Sequence, residues 1–159
     1  MLKNELIALV QKIKDNYTGN ITTAESCTGG MLAAYLTSIS GSSAYFAGGI
    51  ISYSNEAKIK LLNVKSETLA IYGAVSEQVA IEMALGAKEI NNSDIAISVT
   101  GIAGPRGGTD DKPVGMVCFG LFFNDQVTAY THYFKGNREQ VRMQSCKMAL
   151  NLIVKAIIA

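Results

Sequence analysis

The chain has 159 residues, a hydrophobic share of 48%, a charged share of 17% and a net charge of +1. That suits one domain with a real core and offers no charge excess to draw a nucleic acid or a membrane surface. Three cysteines, Cys27, Cys118 and Cys146, are too few and too scattered for a disulfide framework or a metal knuckle, and they suit a reducing compartment.

Residues 2–17 place Leu2, Leu6, Leu9, Val10, Ile13 and Tyr17 on one helical face, with Gly19 and Asn20 ending the helix. Glu5 interrupts any signal-peptide core, and no apolar run approaches the ~20 residues of a membrane helix, so a cytoplasmic protein is expected. Ile21 to Glu25 reads as a short strand and Gly29 to Ile39 as a helix, joined by the turn Ser26–Gly30. A second strand is expected over Ala47–Ser54, then two short helices over 55–62 and 66–72. Ser76 caps a helix that buries Val79, Ala80, Met83, Ala84, Ala87 and Ile90. Asp94 to Thr100 alternates with period two and reads as a strand. Gly101 to Pro113 is a Gly-rich loop, and residues 115–123 and 126–134 form a hairpin about Asn124-Asp125. Asn137 and Gln140 match a capping box ahead of a last helix that buries Val141, Ser145, Met148, Leu152 and Ile157.

Strands alternating with helices imply an α/β domain over residues 1–159, with a mainly parallel sheet and helices on both faces. Ligands in such folds sit beyond the carboxyl ends of the strands. Here those ends are Ser26, Tyr53–Ser54 and Thr100–Gly101, all of which can converge on one cleft.

The Ser26–Gly30 turn admits three readings that can coexist: a helix cap, an anion site, and a nucleophile at Ser26 or Cys27. The sole histidine, His132, lies in an edge-like run, which speaks against a Ser-His-Asp triad. A lysine can replace it where burial lowers its pKa, and Lys58, just past the second strand, is the best placed. Lys60 would face another way. The glycine-rich Gly101–Thr109 stretch is either a backbone cradle for substrate or a surface loop. Asp110 and Asp111 have no third ligand at metal spacing, so no metal site is expected.

In order, the segments T-A-E-S-C-T-G-G, G-S-S-A-Y-F, Y-S-N-E-A-K, G-A-V-S-E-Q-V and S-V-T-G-I-A-G-P-x-G-G-x-x-x-K-P-V-G closely resemble the CinA C-terminal domain family of competence/damage-inducible proteins. The resemblance extends to its stand-alone nicotinamide-nucleotide amidases. It implies a three-layer α/β/α sandwich around a mixed, mainly parallel five-stranded sheet. It also implies hydrolysis of the carboxamide of nicotinamide mononucleotide to nicotinate mononucleotide and ammonia, with no cofactor and no metal. By the same resemblance Ser26 attacks, Lys58 is the base and Tyr53 assists proton transfer. The amides of Thr28, Gly29 and Gly30 and the loop bearing Thr100, Gly101, Ala103 and Gly104 would hold the oxyanion or the phosphate. Arg138 or Arg142 is a further phosphate ligand or a surface ion-pair partner. Arg106 stands where small or acidic residues are more usual in the family. Longer members carry an N-terminal domain linked with ADP-ribose pyrophosphatase activity, which the resemblance does not reach. The expected partner is the nucleotide, with no nucleic acid or membrane. A homo-oligomer is expected, docked through an apolar surface of the first or last helix. The alternative function is a non-catalytic nucleotide-binding or interaction module of the competence or DNA-damage response. A serine amidase for another small amide would share the same machinery.

Overall fold

A computed structural model describes all of residues 1–159. In chain order the elements are α1 (Leu2–Asn16), β1 (Ile21–Glu25), α2 (Met31–Leu36), a single 3₁₀ turn (Ser42–Ala44), β2 (Phe46–Ile51), α3 (Asn55–Leu62), α4 (Ser66–Tyr72), α5 (Glu77–Asn91), β3 (Ile95–Gly101), β4 (Met116–Phe123), β5 (Gln126–Tyr133) and α6 (Arg138–Ile158). The five strands lie in the order β2-β1-β3-β4-β5. β1 pairs in parallel with both β2 and β3. β4 runs antiparallel to β3 and to β5, so it is the one reversed strand of a mixed sheet. Asn124 and Asp125 both adopt positive φ, 53° and 58°, as a tight hairpin turn requires.

The two faces of the sheet are built from different side-chain sizes. Ile21, Ile95, Ile97, Val99, Val117 and Phe119 point into a core shared with α1, α2 and α6. On the other face Ala24 and Ala96 meet Val79, Met83 and Ala87 of α5, with Leu62 and Leu69 from α3 and α4. The period-two pattern of β3 is therefore large against small, with both faces buried. Small residues let α5 approach closely. Ser98 Oγ reaches the Ala80 carbonyl at 2.5 Å, and a Cβ on Gly120 would lie 2.3 Å from that same oxygen. Helices on both sides complete the three-layer α/β/α sandwich.

Four local expectations need correction. The helix after β1 spans only Met31–Leu36, because Gly29 and Gly30 take φ of 58° and 103°, outside the helical region. Thr37 and Ser38 then turn their hydroxyls back onto helix carbonyls, a competition that favours termination. β2 stops at Ile51 rather than Ser54, because Ser54 is taken as the cap of α3. On α5, Ile90 is 52% exposed, since the helix outruns the small-residue face of the sheet. On α6 the fully buried positions are Val141, Ser145, Cys146, Ala149, Leu150 and Ile153. Met148, Leu152 and Ile157 are partly covered instead, because the helix lies between the sheet and α1 and buries a wider arc than one stripe.

The capping box of Asn137 and Gln140 is present, and Ser76 caps α5 through the Val79 amide. No helix is long and apolar enough to cross a membrane. Exposed large apolar side chains gather on β2, α3 and α4, at Ile51, Ile59, Leu61, Ile71 and Tyr72, rather than on α1.

Candidate active site

Parallel pairing of β2, β1 and β3 brings their carboxyl ends side by side, as the sequence requires of a cleft. The ladder continues one residue past β1, where the Ser26 amide donates to the Val99 carbonyl at 2.9 Å. Ser26 Oγ is thereby held just beyond the sheet edge. From β2, the Ser52 amide donates to the Glu25 carbonyl at 2.8 Å. The chain then turns at Ser54, whose hydroxyl caps α3 at the Ala57 amide. That cap sets the rotation of α3, and Lys58 points back under the turn.

Lys58 is 1% exposed, and its Nζ donates to Ser26 Oγ at 2.9 Å, to the Ser52 carbonyl at 2.9 Å and to the Tyr53 carbonyl at 3.3 Å. These three acceptors match the three protons of an ammonium. No carboxylate pairs with it: the ion pairs of the molecule are Lys60–Glu56, Lys88–Glu89 and Lys147–Glu5. Lys60 indeed faces solvent on the other side of α3. Burial without a counter-charge pushes the Lys58 amine down to about 8. A lysine near that value holds a usable neutral fraction close to neutral pH, and the Ser26–Lys58 hydrogen bond can then run from hydroxyl to amine. The same shift has a stability consequence. The folded state releases this proton near pH 8 and the unfolded chain near 10.5, so between those values the folded state binds fewer protons. Stability rises with pH across that window, by about 3 kcal/mol from this group, and the penalty is constant below it. Thermal denaturation between pH 7 and pH 10 reads this contribution once the titration of the other groups is subtracted in the Lys58→Met variant.

Cys27, the other candidate nucleophile, is 4% exposed and part of the core. Burial pushes its thiol up to about 12, so the thiolate is scarce at any working pH. Cys27→Ala is expected to retain turnover within about threefold and to lose about 1 kcal/mol of stability from lost packing. Steady-state rates beside a denaturation curve check both.

Glu25, which sequence reasoning passed over, organises the turn. It is 1% exposed. Its Oε1 accepts from the Thr28 hydroxyl at 2.6 Å, the Gly30 amide at 3.2 Å and the Leu32 amide at 2.9 Å; Oε2 accepts from the Ala33 amide at 3.0 Å. Glu25 thus supplies from within the chain the acceptors for the Gly30, Leu32 and Ala33 amides at the helix start. The one available signal was a Glu at a strand end, followed by a helix start whose own cap residue, Gly30, has no side chain to offer.

The remaining site residues fall into two groups. Arg142 reaches the turn, with Nε on the Cys27 carbonyl at 3.1 Å and Nη2 on the Thr28 carbonyl at 3.0 Å. Arg138 spans the rim, donating to the Gly104 carbonyl at 2.8 Å and to the Tyr53 hydroxyl at 2.9 Å. Tyr53 thus contributes its carbonyl to Lys58 while its side chain, in a residue 58% exposed, stands with Arg138. The Gly29 amide donates to the Ser26 carbonyl and Gly30 to Glu25, and Thr28 is fully buried. Thr100 Oγ1 is bound to the Ala74 carbonyl at 2.9 Å. Gly101 is the last residue of β3 and packs tightly on β4. Ala103 enters the core and Gly104 turns at φ 83°. The amides of Cys27, Thr28, Ala103 and Gly104 have no acceptor within the protein. Arg106 is exposed on the loop beyond. His132 lies on β5, stacked on Phe134, with two strands between it and β1. Cavities of about 540 and 580 Å³ lie elsewhere, beside α6 and at the opposite end of the sheet. Ser26 is 7% exposed and Lys58 1%.

Comparison with known proteins bears on this arrangement. The family model described as the CinA C-terminal domain matches residues 3–157. A CinA-like protein of Syntrophomonas wolfei is 51% identical over 148 residues, covering 93% of this chain and 36% of that protein. Another CinA-like protein, from Chloroherpeton thalassium, is 55% identical over 138 residues, with coverage of 84% and 33%. The chain therefore spans about a third of the length of the curated relatives it matches. Among solved structures, competence/damage inducible protein CihA from Agrobacterium tumefaciens superposes with a TM-score of 0.92 at 38% identity, covering 96% of this chain and 95% of that one. The competence damage-inducible protein ComA from Klebsiella pneumoniae does so at 0.91 and 38%, with coverage of 98% and 97%.

Proposed function

Because the chain belongs to the CinA C-terminal domain family, we propose that it is a serine amidase that hydrolyses the carboxamide of nicotinamide mononucleotide to nicotinate mononucleotide and ammonia. The observation that carries the chemistry is the 2.9 Å contact between Ser26 Oγ and the buried, carboxylate-free Lys58 amine. The substrate comes from the family resemblance.

Neutral Lys58 takes the Ser26 proton as Oγ bonds to the carboxamide carbon, giving a tetrahedral adduct with charge on the former carbonyl oxygen. Lys58 then passes that proton to the amide nitrogen, the C–N bond breaks, and ammonia leaves an acyl-serine. A water gives its proton to Lys58 and attacks the ester; Ser26 leaves with the proton returned to it. The unpaired Cys27, Thr28, Ala103 and Gly104 amides are the donors on hand for the oxyanion. Arg138 and Arg142 give the rim its positive charge and suit the phosphate. Tyr53, hydrogen-bonded to Arg138, belongs to that phosphate side in this reading. A purely nucleotide-binding module would have no use for a buried lysine of depressed pKa against a serine hydroxyl.

The test is ammonia release from nicotinamide mononucleotide by the purified protein as a function of pH. Turnover is expected, with kcat/KM rising through an apparent pKa of about 8 as Lys58 loses its proton. No release at any pH between 6 and 10 would overturn the assignment.

A further inference from the structure

We propose that Glu25 is the positioning residue of the Ser26–Lys58 pair: its carboxylate locks the turn that carries the nucleophile, and its main-chain carbonyl locks the strand end on which the base rests. The proposal rests on the serine amidase reading above.

A buried carboxylate is tolerated only where donors replace its water. Glu25 has four, from Thr28 Oγ1 and the amides of Gly30, Leu32 and Ala33, and no cation pairs with it. These donors lie on both sides of the two positive-φ glycines, so the carboxylate closes the whole segment after Ser26 onto the end of β1. Such a closure exceeds what capping needs. A short hydroxyl or amide side chain at the cap position itself satisfies a helix start, and here that position is Gly30. Ser26 is the first residue inside the loop so closed, and the freedom of its backbone is removed at the Val99 carbonyl and at the Gly29 amide as well.

The second half of the argument runs through the main chain. The Glu25 carbonyl accepts from the Ser52 amide at 2.8 Å and from the Ser52 hydroxyl at 3.3 Å. The Ser52 carbonyl in turn accepts from Lys58 Nζ at 2.9 Å, and Nζ meets Ser26 Oγ at 2.9 Å. A closed ring thus passes from Glu25 through Ser52 and Lys58 to Ser26 and back along the chain. Displacing the Glu25 side chain lets the Ser26 side of the ring drift while the Lys58 side stays put. The distance that proton transfer depends on is the one that opens.

Pyridine-3-boronic acid tests this without relying on turnover. Ser26 Oγ bonds to boron while its proton passes to Lys58, giving a tetrahedral borate and an ammonium; nothing leaves. The adduct is read by its boron NMR shift, and its dissociation constant reports how well the pair is set. Glu25→Gln keeps one acceptor oxygen but turns N–H groups toward the Ala33 amide. It is expected to weaken boronate binding about 30-fold and lower kcat by a similar factor, with KM for nicotinamide mononucleotide moving less than about threefold. A partly unfolded population would lower the number of boronate sites and leave their affinity unchanged, so a structural role does not reproduce this result. Should Glu25→Gln not fold, Thr28→Val removes a single donor to Oε1 and is expected to weaken the adduct about fivefold. Boronate affinity within about twofold of native in Glu25→Gln, or in Thr28→Val where that variant stands in, overturns the proposal. Native protein that forms the adduct but releases no ammonia refutes the substrate and leaves the positioning role to the boronate ratios. Native protein that forms no adduct refutes both.

Discussion

Ser26→Ala is expected to lower ammonia release by about 10⁴-fold or more, with binding of the nucleotide little changed. The serine oxygen is the only atom in the arrangement that can form the acyl intermediate, and removing a nucleophile leaves only what binding and polarisation contribute. The substitution deletes one oxygen from a residue 7% exposed and keeps Cβ, so the turn stays as it is. Lys58 loses one acceptor and keeps the Ser52 and Tyr53 carbonyls. Single-turnover assays with calorimetric titration of product separate rate from affinity. Turnover near the native level in Ser26→Ala, or its loss in Cys27→Ala instead, would refute Ser26 as the nucleophile.

Lys58→Met is expected to lower kcat/KM by about 10³-fold and to abolish the rise of activity with pH. Methionine matches the length of the lysine stem, so the packing under the turn is kept while the proton carrier is lost. Its effect on stability sets two terms against each other. Relief of the buried charge favours the variant by about 3 kcal/mol below pH 8, the size set by the fall of the amine to about 8. The Ser52 and Tyr53 carbonyls lose a charged donor, at about 1–2 kcal/mol each. The sum is close to zero, so the melting temperature at pH 7 is expected to move by only a few degrees. Above pH 10 the first term fades and the variant should be the less stable protein. Melting curves at the two pH values decide this. A large loss at pH 7 would mean that Lys58 is a structural strut rather than a tuned base.

Much of this was legible in the chain because it depends on local chemistry. The capping box at Asn137–Gln140 and the cap at Ser76 were recognisable from side chains that bond to amides within three residues. Helices α3 and α4 fall where the pattern put them, 55–62 and 66–72. Lys58 emerged by elimination, since the one histidine lay in a segment of edge-strand character. Reading failed where a neighbour far along the chain decides. The expected helix Gly29–Ile39 exceeds the apolar run Met31–Leu36 at both ends, where the two positive-φ glycines and the back-bonded hydroxyls of Thr37 and Ser38 stop it. The buried arc of α6 depends on α1 covering its outer side, and α1 lies more than a hundred residues away in sequence.

Glu25 shows the limit most clearly. In the sequence it is one acidic residue at the end of a strand, indistinguishable from a solvated one. Buried charge is paid for by donors, and which donors converge is a property of the closed turn. The same division applies to Ser26–Gly30 as a whole. The sequence alone determined a strand, a glycine turn, the hydroxyl and the lysine, because residue type and spacing set local conformation and available chemistry. Only the tertiary structure decided that Lys58 loses its water, that Cys27 is submerged, that the Gly30, Leu32 and Ala33 amides are taken by Glu25 and that Arg138 and Arg142 come to the rim. Desolvation and hydrogen-bond partnership are set by what packs around a group, and parallel strand order brought those parts together.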